Sequence, residues 1–273
     1  MFDDSRTMNS NGVAAVVLPD IQKTPDERNI PIDRVGVKGV KYPVKVLDRA
    51  NEVQSTVGEF TLTVDLPAHF KGTHMSRFLE ILSENRGEVS VQSIPGILSQ
   101  LREKLQAETA HLEVRFVFFM EKAAPVTGRV GLMGYECGFR AMGGKETRFD
   151  MLLNVPVATL CPCSKEISKY GAHNQRGVVS VEVSTSDLVW LEEIVEMIES
   201  AASSPLYPVL KRPDEKFVTE LAYDNPRFVE DMVREVAIRF DAEPRITAYK
   251  IEVENFESIH DHNAYAMIER SKS

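Results

Sequence analysis

The chain has 273 residues, 43% hydrophobic and 27% charged, a composition that supports one large globular domain or two of ordinary size. A formal net charge of −9 supplies no basic field for nucleic acid, so a phosphate-bearing ligand must be held by a local cluster of cations. Three cysteines, Cys137, Cys161 and Cys163, are too few for a disulfide framework and suit a reducing cytoplasm, and no apolar run reaches membrane-spanning length.

The segment from Met1 to Thr7 lacks the cationic-then-apolar order of a signal peptide. Residues 1–30 mix Asn, Asp, Gly, Pro and Lys without periodicity and read as a mobile arm or a partner-binding tail. One pattern then appears twice, over 31–144 and 145–273. In the first half, strands are expected at Val35 to Leu47 and Glu59 to Leu66. Helices follow at Ser76 to Ser83, with Phe78, Leu79 and Leu82 at helical spacing, and at Ile97 to Leu105. Strands at Leu112 to Met120 and Gly131 to Met142 complete it, the second placing Cys137 in the core.

The second half opens with a strand at Glu146 to Val157, then a Cys/His loop and a strand at Val178 to Val183. A helix is expected over Asp187 to Ala202, with Leu188, Leu191, Ile194, Val195 and Ile198 as its apolar stripe. The charged, proline-punctuated stretch from Lys211 to Glu220 reads as a surface loop. Asn225 and Pro226 read as an N-cap and first turn of a helix ending at Phe240, before strands at Ile246 to Val253 and Ala264 to Ile268. Each half is thus an α+β unit, a four-stranded antiparallel sheet with two helices on one face. Such a unit leaves edge strands open, and joining units and then subunits edge to edge removes them. The expectation is an oligomer built around a barrel of sheets; the alternative is two independent α+β domains with no shared sheet.

The segment from Cys161 to Gly177 carries the strongest chemical signal. Thiolate and imidazole, from Cys161 and His173, form a transition-metal ligand set, and Lys165, Lys169 and Arg176 suit an anionic substrate. A buried cysteine pair beside a polar loop is the bland alternative. Structural zinc takes four Cys/His ligands, and the chain lacks a second cysteine pair, so an open site with a carboxylate from elsewhere fits better. Glu215 and Glu220 are candidates for that carboxylate, and Cys163 can serve as ligand, nucleophile or hydrogen-bond donor. Glu257, His260 and His262 form a group suited to proton transfer near neutral pH, or else a solvated polar loop. Glu230 sits early in the helix after Pro226, where it either holds a ligand or pairs with Arg234. The stretch from Gly72 to Arg77, with His74, precedes a helix and can present N–H groups and a guanidinium to phosphates; alternatively Thr73 or Ser76 merely caps the helix.

Seven segments in order resemble the type IB GTP cyclohydrolase I family, a prokaryotic branch of the tunnelling-fold superfamily. They are IDRVGVKGV at 32–40, KGTHMSRF at 71–78, CPCSKEIS at 161–168, GAHNQRG at 171–177, LKRPDE at 210–215, NPRFVED at 225–231 and ESIHDH at 257–262. The resemblance implies two tandem tunnelling-fold units per chain and a homotetramer with active sites between subunits. It implies conversion of GTP and water to 7,8-dihydroneopterin triphosphate and formate, the first step of tetrahydrofolate synthesis, by attack of metal-activated water on guanine C8. It further implies a divalent metal (zinc, manganese or iron) on Cys161, His173 and Glu215, with Glu230 anchoring guanine. Glu257, His260 and His262 would line the catalytic pocket, with Cys163 beside the metal. His74, Arg77, Lys165 and Arg176 are the candidates for the rest of the nucleotide. A tunnelling-fold NADPH-dependent nitrile reductase needs no such metal set, and a metal-stabilised oligomeric scaffold gives the paired histidines no purpose.

Overall fold

Period-two alternation of apolar residues builds a sheet with one covered face. The computed structural model describes residues 22, 24–85 and 92–272. In chain order the first elements are β1 (Ile32–Asp48), β2 (Glu52–Leu66), α1 (Met75–Glu84), α2 (Ile94–Leu105), β3 (Ala110–Ala123) and β4 (Val130–Gly143). There follow β5 (Arg148–Leu160), α3 (Pro162–Ile167), β6 (Asn174–Thr185), α4 (Leu191–Glu199) and β7 (Ser204–Pro205). The last are α5 (Arg212–Asp224), α6 (Val229–Ala242), β8 (Ile246–Asn255) and β9 (Ala264–Ser271). Among the described residues the strands form one antiparallel sheet, ordered β1-β2-β3-β4-β5-β6-β8-β9, with the short β7 against β5. The fold is therefore α+β, and no helix of the described residues is long and apolar enough to cross a membrane.

One face of the sheet is buried. Phe60, Leu62 and Val64 of β2, Val114 and Phe118 of β3, and Val179, Val181 and Val183 of β6 are all nearly inaccessible. The helices cover them with matching stripes: Phe78, Ile81 and Leu82 from α1, and Met232, Val233, Val236 and Phe240 from α6. Each such side chain contributes about 1.5–3 kcal/mol by leaving water. The other face is polar. Arg140 reaches Glu113 at 3.0 Å and Glu182 at 2.8 Å, and Glu113 also pairs with Arg115.

The two halves are not independent sheets, because β4 and β5 pair from Glu136 opposite Asn154 to Met142 opposite Arg148. Contacts between the halves reinforce this join. The Arg49 amide at the β1–β2 turn donates to the buried Glu192 of α4 at 2.7 Å, and its guanidinium pairs with Glu196. Glu199 receives both the Lys122 ammonium at 2.5 Å and the Tyr135 hydroxyl at 2.8 Å. Burial pushes the Lys122 pKa down and the Tyr135 pKa up.

Several elements differ from the expected ones. β2 starts at Glu52 rather than Glu59. Leu79 and Leu188, expected in apolar stripes, are 46% and 42% exposed. α4 begins only at Leu191, where Glu193 accepts a hydrogen bond from the Trp190 amide at 2.9 Å. The stretch from Lys211 to Glu220 is largely helical: Asp214 caps its N-terminus, and Pro213 occupies the first turn, where its missing N–H costs nothing. Asn225 does not start the next helix but ends α5, its side chain donating to the Leu221 carbonyl at 2.8 Å. The N-cap of α6 is Phe228, three residues later, with Asp231 accepting from its amide at 3.0 Å. The expected N-terminal arm lies outside the described residues as far as 21, with 23. Beyond that, Thr24 and Asp26 are tied by backbone hydrogen bonds to Lys71 and His69.

Asp214 is a tightly constrained carboxylate. It is fully buried and accepts from the amides of Val126, Thr127 and Lys211 and from the Thr127 hydroxyl, all within 2.9 Å. Burial by itself raises its pKa, but the Thr127 hydroxyl and these amides outweigh that and hold it well below the usual carboxylate range. It thereby fixes the start of α5 against the β3–β4 turn. Replacing Asp214 by Ala leaves these donors without an acceptor and is expected to lower Tm by about 5 °C or more in calorimetry. A change below roughly 1 °C would contradict this role.

Candidate functional site

The site grows from the paired ends of β5 and β6. Their ladder closes at Leu160 opposite Asn174, and the Cys161 amide extends it by donating to the His173 carbonyl at 3.1 Å. The intervening residues form α3 and a turn at Gly171, whose φ of +123° is readily available only to glycine. Cys161 is the N-cap of α3, its sulfur accepting from the Ser164 amide at 3.4 Å. The Ser164 hydroxyl donates to the Cys161 carbonyl and accepts from the His173 amide, each at 3.2 Å. Ser164 thus fastens both residues, and the thiol and imidazole leave the same strand end.

The His173 imidazole meets two groups. Its Nδ1 lies 3.0 Å from Gln175 Oε1 and 3.9 Å from Glu257 Oε2. His173 and Glu257 side chains are only 14% and 13% exposed, so both are largely shielded from water. Glu257 arrives from the end of β8, where Asn255 pairs with Gly177 and the Phe256 amide donates to the Arg176 carbonyl at 2.9 Å. His260 and His262 follow in the β8–β9 turn, exposed and stacked with ring centres 5.1 Å apart.

His173 and Glu257 therefore come together, with Cys161 joined to His173 through the backbone and His260 and His262 on the segment that carries Glu257. Cys163 is exposed on α3. Glu215 is exposed in the first turn of α5. The end of α5 fastened to α3 is the opposite one, through the Lys165 ammonium donating to the Tyr223 carbonyl at 2.5 Å. At the helical rise this separates Glu215 from that anchor by about 12 Å. Glu220, the other carboxylate considered there, pairs with Lys216 at 2.7 Å. Among the described residues no three His, Cys, Asp or Glu side chains gather as a metal-holding group.

The substrate candidates are dispersed. Lys165 also lies 4.4 Å from the centre of the Tyr223 ring, and Arg77 donates to the Lys104 carbonyl at the end of α2 at 2.9 Å. His74 occupies the N-cap position of α1. Arg176 is exposed beside the site on β6. Glu230 is exposed in the first turn of α6; Asp231 does the capping, and Glu230 pairs with no cation among the described residues. Sequence reasoning missed Thr159 and Asn255. Both lie just past the ends of the strands expected at Glu146 to Val157 and Ile246 to Val253; Thr159 holds Gln175, and the buried Asn255 Oδ1 has no hydrogen-bond partner among the described residues.

The donor set is compatible with a metal. Cys161 and His173 are paired through their backbones at one strand end, and the ring's Nε2 makes no hydrogen bond among the described residues. The pair supplies part of an open site rather than a closed structural one.

Comparison with known proteins adds an independent line. Residues 18–266 match the family model described as type I GTP cyclohydrolase folE2. The chain is 54% identical over 256 residues to GTP cyclohydrolase FolE2 of Kosmotoga olearia, covering 94% of this chain and 100% of that one. It is 53% identical over 266 residues to the same enzyme of Methylococcus capsulatus, covering 97% and 98%. Among solved structures, a highly active mutant of Bacillus sp. TB-90 urate oxidase superposes with a TM-score of 0.51 at 8% identity, covering 88% of this chain and 100% of that one. That likeness is one of fold alone.

The junction of β6 and β8 beneath the site leaves no room at Gly177. A Cβ there would lie 2.5 Å from Asn255 Oδ1 and 3.0 Å from the Glu254 carbonyl oxygen. Gly177→Ala is therefore expected to lower Tm by about 3 °C or more, with Gly177→Ala/Asn255→Ala losing less than the two single changes added together. Strict additivity in thermal melts would show that the two positions do not press on each other.

Proposed function

The chain belongs to the type I GTP cyclohydrolase FolE2 family and is a GTP cyclohydrolase, and on that premise we propose that the strand end bearing Cys161, His173 and Glu257 is its active site. The observation that carries this reading is the 3.9 Å approach of Glu257 to His173. It joins two polar segments, far apart in sequence, at one shielded point beside a cysteine.

Cys161 and His173 hold a divalent cation (zinc, manganese or iron), with Glu215 as the third ligand. The cation when bound acidifies water and polarises the bond under attack. Around it the chain's own residues bind and protonate. Glu230, uncommitted to any cation, accepts two parallel hydrogen bonds from guanine N1–H and the 2-amino group, which adenine cannot offer. His260 and His262 move protons at guanine N7 and at the ring-opened amine, for which an imidazole is suited near neutral pH. Glu257 takes up or returns a proton beside His173, and Cys163, exposed on α3, stands beside the metal. Arg176 and His74 serve the triphosphate; Lys165 and Arg77 contribute after releasing the carbonyls of Tyr223 and Lys104. The products are 7,8-dihydroneopterin triphosphate and formate, the entry to tetrahydrofolate synthesis, made in the cytoplasm.

The architecture supports a finer reading as well. The order strand, strand, helix, helix, strand, strand occurs on both sides of the 144–147 turn, with α3, β7 and α5 added in the second half. We take 31–144 and 145–273 as tandem tunnelling-fold units, with 1–30 as an arm. The edges β1 and β9 and the charged open face then become the joins and lining of a barrel in a homotetramer, with active sites between subunits.

Cys161→Ala and His173→Ala are each expected to leave less than about a tenth of the parent's bound metal and to lower GTP turnover by roughly 1,000-fold or more. Full metal content and turnover in either variant would refute the assignment. Glu230→Gln keeps the side chain's size but removes one acceptor, and its kcat/KM for GTP should fall about 100-fold while metal content stays at the parent level. Unchanged GTP binding would remove Glu230 as the guanine anchor.

A further inference from the structure

An imidazole can present only one of its two nitrogens to a cation, and the group that holds the other decides which. At His173 that group is Gln175. Its Oε1 lies 3.0 Å from Nδ1, within hydrogen-bond distance, whereas the Glu257 carboxylate at 3.9 Å is not. A carboxamide oxygen can only accept, so Nδ1 carries the proton and Nε2 keeps its lone pair. The amide is held in this orientation from behind: Gln175 Nε2 donates to the Thr159 hydroxyl at 3.0 Å. Thr159 is fully buried and Gln175 is 8% exposed, and the two sit opposite each other in the β5–β6 ladder. Water therefore has little access to replace either bond.

We propose that Gln175, oriented by Thr159, is the positioning residue that fixes His173 with Nδ1–H turned into the protein and Nε2 turned toward the cation. The proposal rests on the reading of Cys161 and His173 as metal ligands. It gives the buried pair a purpose that packing does not require, since two apolar residues would fill these core-facing positions at less desolvation cost. A neutral amide in this place also leaves the Glu257 carboxylate free for proton transfer.

Zinc affinity, measured on metal-free protein with a chromophoric chelator as competitor, tests this without reference to turnover. Gln175→Leu should weaken zinc binding by about 10–100-fold with little change in the Tm of the metal-free form. Gln175→Glu, which restores an acceptor for Nδ1–H, should recover affinity to within about 3-fold of the parent. Thr159→Val, nearly isosteric, should weaken binding by roughly 3–10-fold. A Gln175→Leu protein that binds zinc as tightly as the parent overturns the proposal, provided His173→Ala loses zinc. If His173→Ala also binds zinc normally, the metal reading itself fails. Should Gln175→Leu not fold, Thr159→Val and Gln175→Glu decide: parental affinity in the first or its loss in the second counts against Gln175.

Discussion

The hydrogen bond from the Cys161 amide to the His173 carbonyl, one step past the last β5–β6 pair, is the contact on which the rest of the site depends. It converts a loop of eleven intervening residues into a closed turn whose two ends are fixed by the ladder behind them. A thiol and an imidazole separated in sequence become neighbours because two antiparallel strands end together. Ser164 reinforces the closure by bonding to both residues. Strand ends suit such chemistry, because the sheet supplies rigidity while side chains beyond its last rung are free of packing duties.

The same logic places the other half of the site. β6 is paired on its far side with β8, so the residues after β8 emerge at the same end of the sheet as His173. Glu257 is thus delivered beside the imidazole by register alone. The tight spot at Gly177, with the Asn255 Oδ1 that has no hydrogen-bond partner among the described residues against it, lies where the two strands part. Buried polar groups at this end, Thr159, Gln175 and Asn255, interrupt an otherwise apolar face. Such an interruption costs stability unless it serves orientation.

Much of this was legible in the chain. Alternation in β2, β5 and β6 and the stripes of α2 and α6 followed directly from apolar spacing, and the cysteine, histidine and glutamate of the site stood out by residue type. What was not legible depended on contacts between distant segments. The stretch from Lys211 to Glu220 read as a loop because Pro213 and six charged residues hid a helix whose start is set by Asp214 against Val126 and Thr127. Asn225 looked like an N-cap because the same residue type ends helices as well as starting them. Thr159 went unnoticed because it lies past the expected end of its strand at Val157 and its hydrogen-bond partner is on another strand. Lys165 and Arg77 looked like free cations because their carbonyl partners lie on other elements.

The single chain sets His173 beside the Glu257 carboxylate and pairs its backbone with that of Cys161, while Glu215 and Glu230 stand exposed on α5 and α6. On the proposed reading, the pocket is completed in the assembled, metal-loaded protein. The most direct measurement is incubation of that protein with GTP, following formate release together with the fluorescence of the oxidised pterin. The account predicts one formate and one pterin for each GTP consumed. Bound metal with neither product would contradict it.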